Sequence, residues 1–494
     1  MDLHDNDLSS AIEHRRMLIG GRWLDAASGA MIEIENPARK VCIAKVPRAA
    51  AADVHIAVRA ARSSFLAWSK RPPRERGKLL LQIAEAIESR VEELARTIAL
   101  ETGNAIRNQA RPEATMAVDI FRYFGGLASE LKGETVPLGE TVLSYSLREP
   151  LGVVAAIVPW NAPVLLAALK IAPALCAGNT IVVKAAEDAP LAVLLVGEIC
   201  QQYLPDGVLN ILSGYGEECG GPLLRHPMVA KLSFTGSTAV GKMVMAAAAD
   251  RILPVSLELG GKSPSIVFPD ADEDWAAEGV MAAMRFTRQG QSCTAGSRLL
   301  LHHTIFDSFI ERLISKCSSL RIGDPLDEST DMGAIINQKQ FQKVCAYTKE
   351  GASQAGASLV LGGVPFSEGP LSTGYFMPPT IFTHDSNTWR LAREEIFGPV
   401  LVAIPWKDED AAIAMANDSH YGLAAYVWTH DLSKALRTAH AIEAGWVQVN
   451  QGTGQALGQS YGGAKQSGIG REFSLEGMLD SFTQRKSVTV NLTH

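Results

Sequence analysis

The sequence has no pair of cysteines at CxxC spacing, no HExxH, and no Cys/His spacing typical of a metal site among its eleven histidines. A zinc centre is therefore not expected. The seven cysteines (Cys42, Cys176, Cys200, Cys219, Cys293, Cys317 and Cys345) are scattered and odd in number. That argues for reduced thiols in a cytoplasm rather than a disulfide framework. No run of Lys and Arg is present, and the formal net charge of −7 disfavours a nucleic-acid partner. No apolar stretch is long and uncharged enough to span a bilayer. The richest, Leu151 to Ile181, is broken by Pro159, Asn161, Pro163, Lys170, Pro173 and Gly178. The N-terminus, Met1 to Asp7, is acidic and lacks the apolar core of a secretory signal. Internal repeats and low-complexity segments are also missing.

What is present is an ordinary globular composition, 47% hydrophobic and 20% charged, over 494 residues, enough for two or three lobes. Residues 1–16 are polar and expected to be loose. Short strands are expected between Met17 and Val46, then helices from Ala50 to Thr102 and from Pro112 to Leu131. On the last of these Met116, Ile120 and Phe124 share a face. A hairpin is expected over 133–149. Strands follow at 153–158, 180–183, 208–212, 230–234 and 253–257, alternating with helices at 164–177, 190–203, 217–225 and 238–248. This is the pattern of a parallel α/β sheet. A second α/β pattern follows Pro264, with strands near 265–268, 298–302, 379–382, 400–404, 423–428 and 446–450. The alternating tail from Lys486 to Leu492 reads as a strand that adds to a sheet elsewhere, an edge on another subunit included.

Ligands of parallel sheets bind beyond the carboxyl ends of the strands, so the loops there carry the chemistry. Pro159-Trp160-Asn161 offers an amide on a rigid loop, as an oxyanion donor or a turn residue. Lys184 and Glu187 can hold ribose hydroxyls or form a surface pair. Gly214-Tyr215-Gly216 is a weak dinucleotide signal. Phe234-Thr235-Gly236-Ser237 precedes a helix whose free N–H groups suit a pyrophosphate. Glu258, between two leucines, should carry a raised pKa suited to general-base work, unless Lys262 pairs with it. Glu395 and Phe397 can grip a sugar and a flat heterocycle. Cys293 lies between Gly290 and Gly296, a setting that suits either an exposed nucleophile or a buried small side chain.

In order and spacing these motifs, with Leu257-Glu258-Leu259-Gly260-Gly261-Lys262, Gly290-Gln291-Ser292-Cys293, Glu395-Ile396-Phe397-Gly398-Pro399 and the glycine-dense Gly462–Glu472 loop, resemble the NAD(P)-dependent aldehyde dehydrogenase superfamily. The resemblance runs from about Leu18 to the C-terminus. It implies a Rossmann-type cofactor domain (1–128 and 151–259), a second α/β catalytic domain (260–474) and a β oligomerisation arm (129–150 and 475–494). It implies Cys293 as nucleophile, forming a thiohemiacetal and then a thioester, Asn161 and the Cys293 N–H as oxyanion donors, and Glu258 as the base that activates water. Trp160, Lys184, Glu187, Gly236, Ser237, Glu395 and Phe397 would bind NAD. Lys170 and Glu472 would relay protons.

Where the family usually has Pro after the Lys, this chain has Ala185. Glu187 favours NAD, with NADP possible. By family position the aldehyde tunnel is lined by Met116, Ile120, Ala162, Leu166, Leu169, Thr287, Thr294 and the Gln451–Gln455 loop. Their small, aliphatic or hydroxylated side chains suggest a roomy tunnel for a bulky, apolar or aromatic aldehyde. Arg288 opens an alternative, a semialdehyde whose carboxylate it pairs with, against a position at a subunit interface or in solvent. A CoA-acylating enzyme would not need Glu258, a cysteine hydrolase would not need the dinucleotide motifs, and a non-catalytic protein on this scaffold would have lost a catalytic position. The expected partners are a small-molecule aldehyde and further copies of the chain, as homodimer or homotetramer, with no nucleic acid, membrane or metal.

Overall fold

The computed structural model describes residues 13–271 and 273–493; most of the loose segment expected over 1–16 lies outside them. The strands at Val153–Ile157, Thr180–Lys184, Leu209–Leu212, Val229–Thr235 and Val255–Glu258 form the parallel centre of an eight-stranded sheet. The first three of these are mostly apolar because helices cover the sheet. The helix Pro163–Ala177 is nearly all buried, begins with proline at its first turn and ends at Gly178 in the left-handed conformation (φ 96°). From the central Val153–Ile157 strand the chain moves first to Thr180–Lys184 on one side and later to Val229–Thr235 on the other. The winding therefore reverses between Val153–Ile157 and Val229–Thr235, and a crevice opens at their carboxyl ends.

Three further strands complete this sheet, Arg22–Leu24 lying outside Met17–Ile19, and their place in it does not follow from periodicity. Met17–Ile19 pairs antiparallel with Leu209–Leu212. At the other edge, Gly468–Ile469 pairs antiparallel with Val255–Glu258, with Glu258 opposite Gly468. The glycine-dense loop thus lies directly against the strand that ends in Glu258. Glycine is required there, since a Cβ on Gly462 would come within 2.5 Å of the Gly470 carbonyl and 3.0 Å of Glu258 Oε1.

The second pattern forms a seven-stranded sheet, parallel apart from its Ser358–Leu361 edge strand. The tail strand Thr483–Asn491 does not wait for another subunit. It pairs antiparallel with Val142–Pro150 of the same chain, from Thr483 opposite Pro150 to Asn491 opposite Val142, and Thr135–Pro137 completes a three-stranded sheet. On the middle strand Ser144 turns inward, while Leu143 and Leu147 stay exposed. Among the described residues no helix is long and apolar enough to cross a membrane, and no cluster of His, Cys, Asp and Glu could hold a metal ion.

Candidate active site

Cys293 follows a single 3₁₀ turn, Phe286–Arg288, bracketed by left-handed Arg285 (φ 59°), Gln289 (φ 52°) and Gly290 (φ 62°). Left-handed non-glycine residues are uncommon, and here they fold the chain back on itself before the cysteine. The turn rests against the Glu395–Pro399 segment, where a Cβ on Gly290 would come within 2.1 Å of the Gly398 carbonyl. Gly261 does the same on the other side, its missing Cβ leaving room for the Cys293 carbonyl. The thiol is half-buried and lies 3.9 Å from the Tyr461 hydroxyl. Burial, reinforced by the Glu395 carboxylate, pushes it up to about 11, against the opposing pull of Tyr461. At neutral pH it rests as a thiol and needs a base to become a nucleophile.

Asn161, at the end of the central strand, is buried and donates from Nδ2 to the Gln291 carbonyl at 3.0 Å. Its own carbonyl accepts from Asn104 Nδ2 at 3.3 Å. The amide is thereby fixed against the backbone two residues before Cys293. Glu258 ends its strand almost fully buried, and neither carboxylate oxygen has a hydrogen-bond partner among the described residues. The Gly463 N–H eases its charge from outside hydrogen-bonding geometry. Burial first, and Glu472 second, hold this carboxyl well above the usual range. The alternative salt bridge with Lys262 does not form. Lys262 Nζ is itself buried without a partner among the described residues and is pulled down to about 7 by burial and by Arg298.

Cys293, Asn161 and Glu258 all line one cleft of about 970 Å³. Trp160, Glu187, Gly236, Ser237, Glu395 and Phe397 line the same cleft, so it runs from the crevice of the cofactor sheet to the cysteine turn. Lys184 Nζ donates to Glu187 Oε2 at 2.8 Å. Ser237 caps the helix Thr238–Arg251, its Oγ accepting from the Val240 N–H at 3.4 Å. Glu395 Oε1 accepts from the Gly261 N–H at 3.0 Å, and a Cβ on Gly260 would fall 2.4 Å from Oε2. The Phe397 ring meets Trp160 edge-on, centroids 5.3 Å apart. A helix N-terminus, a ribose-sized pair of polar side chains and an aromatic wall along one elongated cleft fit a dinucleotide. Lys170 and Glu472 form a buried ion pair.

The expected tunnel is only partly assembled. Leu166 lines the cleft, and Met116 and Thr287 are half-buried beyond its lining. Ile120 and Leu169 are packed into the interior instead, because the helices Arg111–Gly126 and Pro163–Ala177 press against each other there, and Thr294 is buried in the loop after Cys293, its carbonyl accepting from the Tyr426 hydroxyl. Arg288 is half-buried and engaged by neighbouring side chains rather than free in solvent. Its Nε donates to Gln109 Oε1 at 2.9 Å, and Nη2 lies 3.8 Å from Glu113 Oε2, with the side chain 18% exposed. Glu113 also accepts from the Val164 and Leu165 N–H groups at the start of the helix that follows Asn161. Burial drives its carboxyl up to about 7 despite Arg288.

Tyr461 is the residue at the site that motif reading passed over. It stands immediately before Gly462-Gly463 and is buried in an edge-on aromatic column with Trp446 and Phe473. An aromatic residue opening a glycine-dense loop was the available signal.

The sequence profile of the aldehyde dehydrogenase family matches residues 23–488. The chain is 41% identical to a long-chain-aldehyde dehydrogenase of an Acinetobacter species over 477 residues, covering 96% of this chain and 94% of that one. It is 40% identical to an acetaldehyde dehydrogenase of Pseudomonas aeruginosa over 480 residues, with the same coverage of 96% and 94%. An NAD⁺ complex of an aldehyde dehydrogenase from Bacillus cereus superposes with a TM-score of 0.94 at 36% identity, covering 97% of both chains. With a cysteine, an amide and a buried carboxylate facing one dinucleotide-sized cleft, and with likeness over nearly its whole length, the chain belongs to the aldehyde dehydrogenase family and is an NAD(P)-dependent aldehyde dehydrogenase.

Proposed function

We propose that the protein oxidises a bulky, apolar or aromatic aldehyde to its carboxylic acid with NAD, through a covalent adduct on Cys293. The observation that carries this reading is the convergence of Cys293, Asn161 and Glu258 on the cleft that also holds Glu395, Phe397 and Ser237. Cys293 releases its proton to solvent water in the cleft, and the thiolate attacks the aldehyde carbon, giving a thiohemiacetal. The Asn161 amide and the Cys293 N–H steady the oxyanion, the former already aimed by its bond to the Gln291 carbonyl. NAD, held along the cleft by Ser237, Glu395 and Phe397, would supply the hydride acceptor. Glu258 then takes one proton from the water that attacks the thioester, and the departing Cys293 sulfur takes the other as the adduct collapses, so the product leaves as carboxylate and the thiol is restored. A carboxyl without a hydrogen-bond partner among the described residues and held above its usual range is suited to that exchange.

NAD is preferred over NADP because the Glu187 carboxylate lies where a 2′-phosphate would be repelled. Relatives at 41% and 40% identity act on long-chain aldehydes and on acetaldehyde, so overall similarity does not select the substrate. The aliphatic Leu166 wall supports an apolar one. Arg288, engaged by Gln109 and Glu113, weighs against the semialdehyde alternative. Exposed Val136, Leu143, Leu147 and Val490 on the three-stranded sheet, with exposed Leu138 and Leu492 just beyond its strands, support a role for it as an arm in a homodimer or homotetramer. Seven unpaired thiols support a cytoplasmic setting.

The test is a panel of aldehydes with NAD and with NADP, following the reduced cofactor, beside Cys293→Ala. Benzaldehyde-type substrates should outrun acetaldehyde and charged semialdehydes. Equal turnover of acetaldehyde and benzaldehyde would refute the substrate class, and activity surviving in Cys293→Ala would refute the mechanism.

A further inference from the structure

The two strands that end at Thr235 and Glu258 have unlike faces. One carries Leu232, Phe234 and Leu257, packed into an apolar cluster. The other carries Lys231, Ser233 and Thr235 from one strand and Ser256 and Glu258 from its neighbour, with Ser233 beside Ser256 and Thr235 beside Glu258. All five are buried, between 1% and 7% exposed. A covered face of a parallel sheet is ordinarily apolar. Here Ser233 Oγ, Thr235 Oγ1 and both Glu258 oxygens have no hydrogen-bond partner among the described residues. Each buried polar atom left so costs on the order of 1–3 kcal/mol unless water reaches it.

The row continues away from Glu258. Lys231 Nζ donates to Ser256 Oγ, and Ser256 Oγ lies 3.4 Å from Ser481 Oγ. Ser481 belongs to the helix Leu475–Phe482, whose other face carries exposed Glu476 and Asp480. The charged groups acting on Lys231 are Lys170, from the helix Pro163–Ala177, and Glu472. Glu472 also acts on Glu258, so Glu258, the Lys170–Glu472 pair and Lys231 form one electrostatic group.

We propose that this polar face holds a file of water that carries the hydrolytic proton from Glu258 to Lys231 and out past Ser256 and Ser481. The inference rests on Glu258 acting as the base. As water attacks the thioester, the Glu258 carboxylate takes one of its protons and becomes a carboxylic acid. It returns to carboxylate as the file delivers a proton to the Lys231 amine, which becomes an ammonium. The ammonium then releases that proton toward solvent, and no electrons move. Burial and Lys170 pull Lys231 down to about 7, so both of its forms are populated near neutrality. Lys231 touches neither substrate nor cofactor in this scheme; it is a positioning residue acting through Glu258.

The experiment is a single turnover of the full-length enzyme with NAD and an aldehyde that it oxidises, following NADH absorbance and a pH-indicator dye together. One proton accompanies formation of the adduct and a second accompanies hydrolysis. In Lys231→Met the NADH rise should stay within about twofold of the parent, while the second proton phase slows at least about 10-fold. Ser256→Ala should slow that phase about threefold and serves where the lysine variant does not fold. A second proton phase at the parental rate in either variant overturns the proposal. So does loss of the NADH rise together with it, which would make Lys231 part of the framework only. Loss of both phases in Cys293→Ala tests the underlying mechanism separately.

Discussion

The two walls of the cleft are built on opposite terms. On the Cys293 side the groups that aim the amide are tied to partners, Glu113 Oε2 and Lys262 Nζ apart. Asn161 is tied to Gln291 and Asn104, Arg288 to Gln109 and Glu113, and Glu113 to the start of the helix after Asn161. On the Glu258 side, buried polar atoms stand without protein partners along two strands. The difference follows the work of each wall. Stabilising an oxyanion depends on a donor held in place before the reaction, and hydrogen bonds hold it. Moving a proton requires groups whose partners exchange, and a fully satisfied network would hold the proton where it was.

Four substitutions test this contrast. Cys293→Ala should cost more than about 10³-fold in steady-state rate, since no other thiol lines the cleft. Glu258→Gln should separate the walls. The first turnover should persist as a burst of reduced cofactor, while the steady state falls roughly 10²–10⁴-fold. Absence of the burst would give Glu258 a role at the thiol as well. Glu113→Gln keeps an oxygen to accept from the Val164 N–H but removes the charge that Arg288 faces, and kcat should fall about 10-fold with KM for NAD unchanged.

Glu113 also carries a signature in stability. Its folded carboxyl is raised from 4.5 to about 7, so between these values the folded state binds the proton that the unfolded chain has released. Stability from this group is full below 4.5 and is lost as pH rises to about 7. Melting temperatures across that window should fall less steeply in Glu113→Gln than in the parent. The smallest effect is expected for Tyr461→Phe, which removes the hydroxyl that lowers the Cys293 pKa. Alkylation of the thiol at pH 8 should slow about two- to threefold.

Much of the fold was legible in sequence because the parallel strands are short, apolar and bounded by turn signals. The runs at 153–158 and 180–183 fall on Val153–Ile157 and Thr180–Lys184. The two-residue strand Gly468–Ile469 was not legible, since glycines carry no pattern and only the neighbouring Val255–Glu258 edge makes them a strand. The tail was read correctly as a strand, but its partner within the same chain depends on the Val142–Pro150 strand, more than 300 residues away. The tunnel was the least legible part. Alternation along a helix identifies Met116 and Ile120 as sharing a face, but whether that face meets a cleft or a neighbouring helix depends on packing.

The sequence by itself determined the family, the alternating α/β pattern and the reactive residue types, because motif order and hydrophobic period are local properties of the chain. Tertiary structure alone decided which groups keep company. It brought Tyr461 to within 3.9 Å of the Cys293 thiol, turned Arg288 toward Glu113, and left Glu258 without a hydrogen-bond partner among the described residues. Burial and partnership set how tightly each group holds its proton, and both arise between residues far apart in the chain.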